Sequence, residues 1–187
     1  MNKVCCCRAR CANEPNRHMA QKAFKQRKQI HLRNFNYSSH EHVFFITICT
    51  VDKQPYFSDP KISKIIIDEL EYRRADKEIK LFCYCIMPNH IHLLISLNEN
   101  YTKKEGAFVE RTLQNWVSAF KRYTSRVSNQ LHDIKPLWQA NFFDHVVRKD
   151  ESLVEICSYI LNNPVRKGMA SNWEEYPYSR MVDDLPI

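Results

Sequence analysis

Residues 79–97 read IKLFCYCIMPNHIHLLISL, two apolar runs rich in β-branched and aromatic residues on either side of Pro88-Asn89. The runs predict strands over 79–87 and 90–97, and the Pro-Asn pair between them makes a hairpin turn. Side chains at i and i+2 of a strand share a face, so His90 and His92 are neighbours there, while Ile91, Leu93 and Ile95 form the core-facing set on the other side. Two neutral imidazoles side by side can serve as a bidentate metal platform if a third ligand arrives from elsewhere. The same pair can equally be two surface histidines with no task.

Working outward, HVFFITICTV (42–51) is β-branched and aromatic and is followed by Asp52 and Pro55, which predicts the first strand. In 58–78, Asp59 is a candidate cap and Pro60 a candidate first helical residue, and Ile62, Ile65, Ile66 and Leu70 fall at helical spacing. A loop at 98–103 leads into a long helix with Val109, Leu113, Trp116, Val117 and Phe120 on one face. FFDHVVR (142–148) predicts another strand, and a helix follows at about 151–162. The order β-α-β-β-α-β is that of an α+β, ferredoxin-like (RRM-like) antiparallel sheet with two helices on one face, here with an added C-terminal helix. That fold serves RNA recognition and several catalytic functions, so the site must decide.

With 187 residues, 44% of them hydrophobic, the chain suffices for one core and is too short for two large domains. No apolar run approaches the ~18–20 residues of a membrane span. The N-terminal stretch lacks the apolar core of a signal peptide, so the expectation is a cytoplasmic, nucleoid-associated protein with reduced thiols, Cys49, Cys83, Cys85 and Cys157 among the core residues. The charge sits unevenly. Residues 1–34 carry nine Lys/Arg against one acid, a balance of +8 on a basic extension expected to be flexible, while the 35–187 domain stands at −1. Such an arm suits a polyanionic partner, or it is a solvated tail that aids solubility. Cys5, Cys6, Cys7, Cys11 and His18 invite a zinc reading, but three consecutive cysteines do not readily converge on one tetrahedral ion and no second C-x-x-C pair follows. Translation starting at Met19 would remove that segment altogether.

A second constellation is EICSYILNNPVRKG (155–168). Leu153, Ile156 and Ile160 face the core of a short helix that Pro164 terminates, and Asn163 lies four residues after Tyr159, on the same face if the last turn holds. A phenol and a carboxamide oxygen are then presented together; the alternative is that Tyr159 packs and Asn163 caps the helix end. Lys121 and Arg122 near the end of the long helix, and Arg148 with Lys149 after the last strand, are candidate phosphate contacts or solvated charges. Trp138, Phe142 and Phe143 can stack on bases, with a core role expected for at least two of them.

MPNHIHLLI, SAFKRYTSR, LWQANFFDHVVRKDESL, YILNNPVRKGM and YPYS occur in this order. Together they resemble the REP-associated tyrosine transposases, relatives of the single-tyrosine HUH transposases of small bacterial insertion sequences. The likeness runs from about Arg33 to Ser179; residues 1–32 have no counterpart in it. It implies a single-stranded DNA nuclease and strand transferase acting at hairpin-forming palindromes through a 5′-phosphotyrosine. Tyr159 would be the nucleophile, and His90, His92 and Asn163 would hold a divalent cation, Mg²⁺ or Mn²⁺, with Zn²⁺ also compatible by ligand type. No organic cofactor is implied, and a monomer is expected.

Two rival readings remain at this level. One is a non-catalytic module that grips single-stranded nucleic acid through aromatics on its sheet; such modules expose aromatics where the third strand here carries histidines. The other keeps the site but gives it to a replication or conjugation nickase or a domesticated protein. Against a conjugation relaxase stands the order of motifs, since the tyrosine follows the histidine pair by 67 residues.

Overall fold

The computed structural model describes residues 35–103 and 111–186; the basic extension, with its cysteines and His18, lies outside them, as does Val109. The first strand, β1, is Val43–Cys49. It stops before the predicted end at 51 because Thr50 turns away to bridge Trp138. Helix α1, Pro60–Ala75, starts as the sequence indicates: Asp59 accepts a hydrogen bond from the Lys61 amide, and Pro60 occupies the first turn, where its missing N–H costs nothing. Strands β2, Ile79–Met87, and β3, His90–Leu97, match their predicted bounds.

The long helix starts later than expected. A single turn, α2 at Glu99–Thr102, precedes it, and α3 spans Leu113–His132. A reciprocal capping box between Thr112 and Asn115 fixes its start, and Asp133 in the left-handed region ends it. Strand β4 is Phe143–Val146, helix α4 is Leu153–Leu161 with Ser152 as its cap, and α5, Asn163–Arg166, follows at once. The chain closes with β5, Ser179–Met181, a strand that no periodicity announces.

The sheet is antiparallel in the order β4-β1-β3-β2-β5, which is the ferredoxin-like arrangement with one strand added at the β2 edge. Phe44, Ile46, Ile48, Ile91, Leu93 and Ile95 form one face, where α1 and α3 pack through Ile62, Ile66, Leu70, Trp116, Val117 and Phe120. The opposite face is a second, smaller core. Phe45, Leu94, Cys83, Cys85 and Met87 lie under Ile156, Cys157, Ile160 and Leu161 of α4. The histidines do point away from the Ile91 set, but α4 roofs the face they point to.

Candidate active site

Register places the site on the second face. Thr47 of β1, His92 of β3, Cys85 of β2 and Ser179 of β5 form one cross-strand row, with Phe143 of β4 at its outer end beside Thr47; Cys49, His90 and Met87 form the next. His90 is half-buried and His92 is 7% exposed, and their ring centroids stand 4.7 Å apart. Each ring is oriented through Nδ1: that of His92 lies 2.8 Å from the Thr47 hydroxyl, and that of His90 lies 2.7 Å from Asn89 Oδ1. When Nδ1 carries the proton and donates to these oxygens, Nε2 keeps a lone pair on both rings, the arrangement that metal-ligating histidines use.

Both imidazoles are held neutral. Burial lowers the His90 pKa to about 4, with help from the charges of Lys167 and Lys53. Burial likewise pushes His92 well below its ordinary value, aided by His90 and Arg166. Among the described residues, the charged side chains that act on the pair, Lys53, Arg166 and Lys167, are cations. The chemistry of the donors fits a divalent ion, since neutral ring nitrogens need no proton displaced. Among the described residues, no group of three or more His, Cys, Asp or Glu side chains could hold a metal ion, so a third protein ligand would be of another type, such as a carboxamide.

Helix α4 brings Tyr159 over this row. Its half-buried ring lies 6.4 Å from His92 and 6.1 Å from Phe45, centroid to centroid, and the Arg166 guanidinium carbon sits 3.7 Å above it. The helix does not run on to Asn163. Asn162 ends α4, its amide donating to the Ser158 carbonyl, and Asn163 opens α5 as a buried residue, 4% exposed. Capping therefore falls to Asn162, and Asn163 is the first residue of α5, an element that packs on β2.

The four candidate phosphate contacts are not gathered here. Lys121 is half-buried and donates to the carbonyls of Gln139 and Ala140, tying α3 to the loop that leads into β4. Arg122 is exposed on α3, on the far side of the sheet, and Arg148 and Lys149 are exposed beyond β4. The cations at the site are Arg166, Lys167 and Lys53, to which the sequence reading gave no role. The quoted motif NNPVRKG already contained two of them. Of the three aromatics, Trp138 and Phe142 are core, and Phe143 is 56% exposed.

A ferredoxin-like sheet carries a helix-borne tyrosine over a histidine pair, and the family model that matches this frame is one of transposases. The chain belongs to the IS200-like transposase family, whose family model matches residues 38–163. An uncharacterised Haemophilus influenzae protein is 27% identical over 160 residues, covering 74% of this chain and 88% of its own length. A second protein of that organism, provisionally named a REP-associated tyrosine transposase, is 26% identical over 152 residues, covering 76% and 81%. Among solved structures, a REP-associated tyrosine transposase bound to a REP hairpin shares the fold with a TM-score of 0.57 at 19% identity, over 80% of this chain and 82% of that one.

Proposed function

We propose that this transposase cuts and rejoins single-stranded DNA at hairpin-forming palindromic repeats, with Tyr159 as nucleophile. The observation that carries the reading is the placement of the phenol: α4 sets it over a pair of neutral imidazoles, with Arg166 against its ring. In the cutting step the Tyr159 oxygen bonds to phosphorus and loses its proton. The bond from phosphorus to the 3′ oxygen breaks, and that oxygen leaves as a hydroxyl by taking up a proton. The phosphotyrosine retains a phosphodiester bond, so a 3′-hydroxyl can attack it, releasing the phenol and joining strands without a nucleotide cofactor. His90, His92 and Asn163 would hold the divalent cation, Mg²⁺ or Mn²⁺, whose chemistry when bound is Lewis-acid stabilisation of phosphate charge. Thr47 and Asn89 keep the two rings aimed.

Hairpin DNA as the partner is supported by the relative solved with a REP hairpin. The substrate near the cut is single-stranded, because a duplex would hold the scissile phosphate away from a tyrosine set against a sheet. Among the described residues no helix is long and apolar enough to cross a membrane. The reading is of a monomer acting on DNA in the cytoplasm. The test is incubation with end-labelled, hairpin-bearing oligonucleotides in Mn²⁺ or EDTA, resolved on a denaturing gel. A metal-dependent covalent adduct on the 3′ fragment, lost in Tyr159→Phe while binding persists, is the expected result. An adduct that survives in Tyr159→Phe would remove Tyr159 from the role.

A further inference from the structure

We infer that Arg166, flanked by Lys167, is the clamp that holds the scissile phosphodiester against Tyr159. The inference rests on the nuclease reading above and adds the residue that grips its substrate. A guanidinium at 3.7 Å from a ring centroid lies in van der Waals contact on the ring. The other two arginines that sit over tyrosines, Arg111 on Tyr101 and Arg126 on Tyr123, stand off at 5.4 and 5.3 Å, so this stack is the close one. A guanidinium lying on the ring directs its N–H fork sideways in its own plane, and Arg166 is exposed.

That fork is open. Arg73 spends its donors on Glu69 and Glu78, and Arg74 on Asp183 and Glu71, whereas no side-chain acceptor among the described residues engages Arg166. Among the described residues, the charges that act on the neighbouring histidine pair are those of Arg166, Lys167 and Lys53. An oxyanion is the missing partner, and a phosphodiester accepts the fork in a bidentate manner. A phosphate gripped by a guanidinium that lies on the Tyr159 ring is held beside the phenol that has to attack it. Ordinary packing would explain the stack but not a fork that no side-chain acceptor among the described residues engages.

The experiment uses the full chain carrying Tyr159→Phe, which stops turnover and keeps a ring for the stack. Its affinity in EDTA is measured for hairpin oligonucleotides in which each phosphate in turn is a neutral methylphosphonate, with and without Arg166→Gln. On the all-phosphate strand, Arg166→Gln should weaken binding roughly ten- to a hundredfold. The penalty should vanish when one phosphate is neutralised, and that phosphate should be the one the wild type cuts. Arg166→Lys should restore binding only in part, because an ammonium cannot supply the planar fork. A penalty that persists at every position would mean a structural role and would overturn the clamp; so would a penalty that vanishes at a phosphate other than the cut one. If the wild type forms no adduct at all, the nuclease reading falls, and the scan still reports whether Arg166 holds one phosphate.

Discussion

The hydrogen bond between Thr47 and His92 makes the second face of the sheet testable without any DNA. Thr47→Val keeps the shape and the β-branch and removes only the hydroxyl that faces His92 Nδ1 at 2.8 Å. Because His92 is 7% exposed, water cannot readily replace that partner, and an unpaired buried nitrogen costs about 1–3 kcal/mol. The added valine methyl is half-buried and returns at most a few tenths of a kcal/mol. The net loss should be about 1–2 kcal/mol, a shift of roughly 2–8 °C in Tm for a domain of this size. Urea unfolding in EDTA measures it, and a double-mutant cycle with His92→Phe isolates it, since the phenyl ring has no nitrogen to leave unpaired. In the His92→Phe background the same substitution should cost nothing. Equal losses in both backgrounds, within about 0.3 kcal/mol, would refute the claim that the hydroxyl serves His92.

Stability should also depend on pH through the histidine pair. Both folded-state values lie below the ~6.5 of an unfolded histidine, so the unfolded chain binds more protons in the window between. The contribution is therefore complete above about pH 6.5 and is lost as pH falls towards the His90 value of about 4. His90 alone accounts for at most about 3 kcal/mol, and for less because its ring is partly solvated. Unfolding curves from pH 7.5 to 4.5 should show the slope, and His90→Gln should flatten it; an unchanged slope would contradict the assigned shift. Phe143 points from the edge strand onto the same row as Thr47 and His92 and is 56% exposed. Phe143→Ala should leave stability within about 0.5 kcal/mol and weaken single-stranded DNA binding by about 1–3 kcal/mol, with the salt dependence unchanged. Anisotropy titrations at two salt concentrations would read both effects, and an unaltered affinity would rule out a stacking role.

The central hairpin was legible because both its strands are long, apolar and separated by turn residues, and α1 because Asp59 and Pro60 state its start. What escaped depends on long-range contacts. Strand β5 has three residues, too few for a period, and the chain after it is fastened by Asp183, which binds Arg74 and the Leu81 amide far away in sequence. Lys121 reads as a free surface cation, but its acceptors are main-chain carbonyls, which leave no mark on composition. His90, His92 and Tyr159 could be singled out from spacing and resemblance. The face they share could not, since alternation tells which side a residue points to and not what lies over that side.

One sign of the roof was present in the sequence. IKLFCYC and HIHLLISL are nearly continuous apolar runs, and an antiparallel strand with one wet face alternates instead. Every residue of β3 after His90 is buried, which requires a layer on each side, and among the described residues α4 supplies the second. That requirement links folding to chemistry. The helix that must cover Leu94, Cys83 and Cys85 through Ile156, Cys157 and Ile160 carries Tyr159 on the same turns, so packing the second core delivers the phenol to the histidines. The chain then turns at Asn162 and returns Arg166 onto the ring, which brings a cation to the side of the neutral histidine pair. On the proposed reading, a divalent ion entering this site meets Arg166, Lys167 and Lys53 until a phosphodiester arrives. The DNA would then supply negative charge beside those cations, so that on this reading substrate and metal favour each other's binding there.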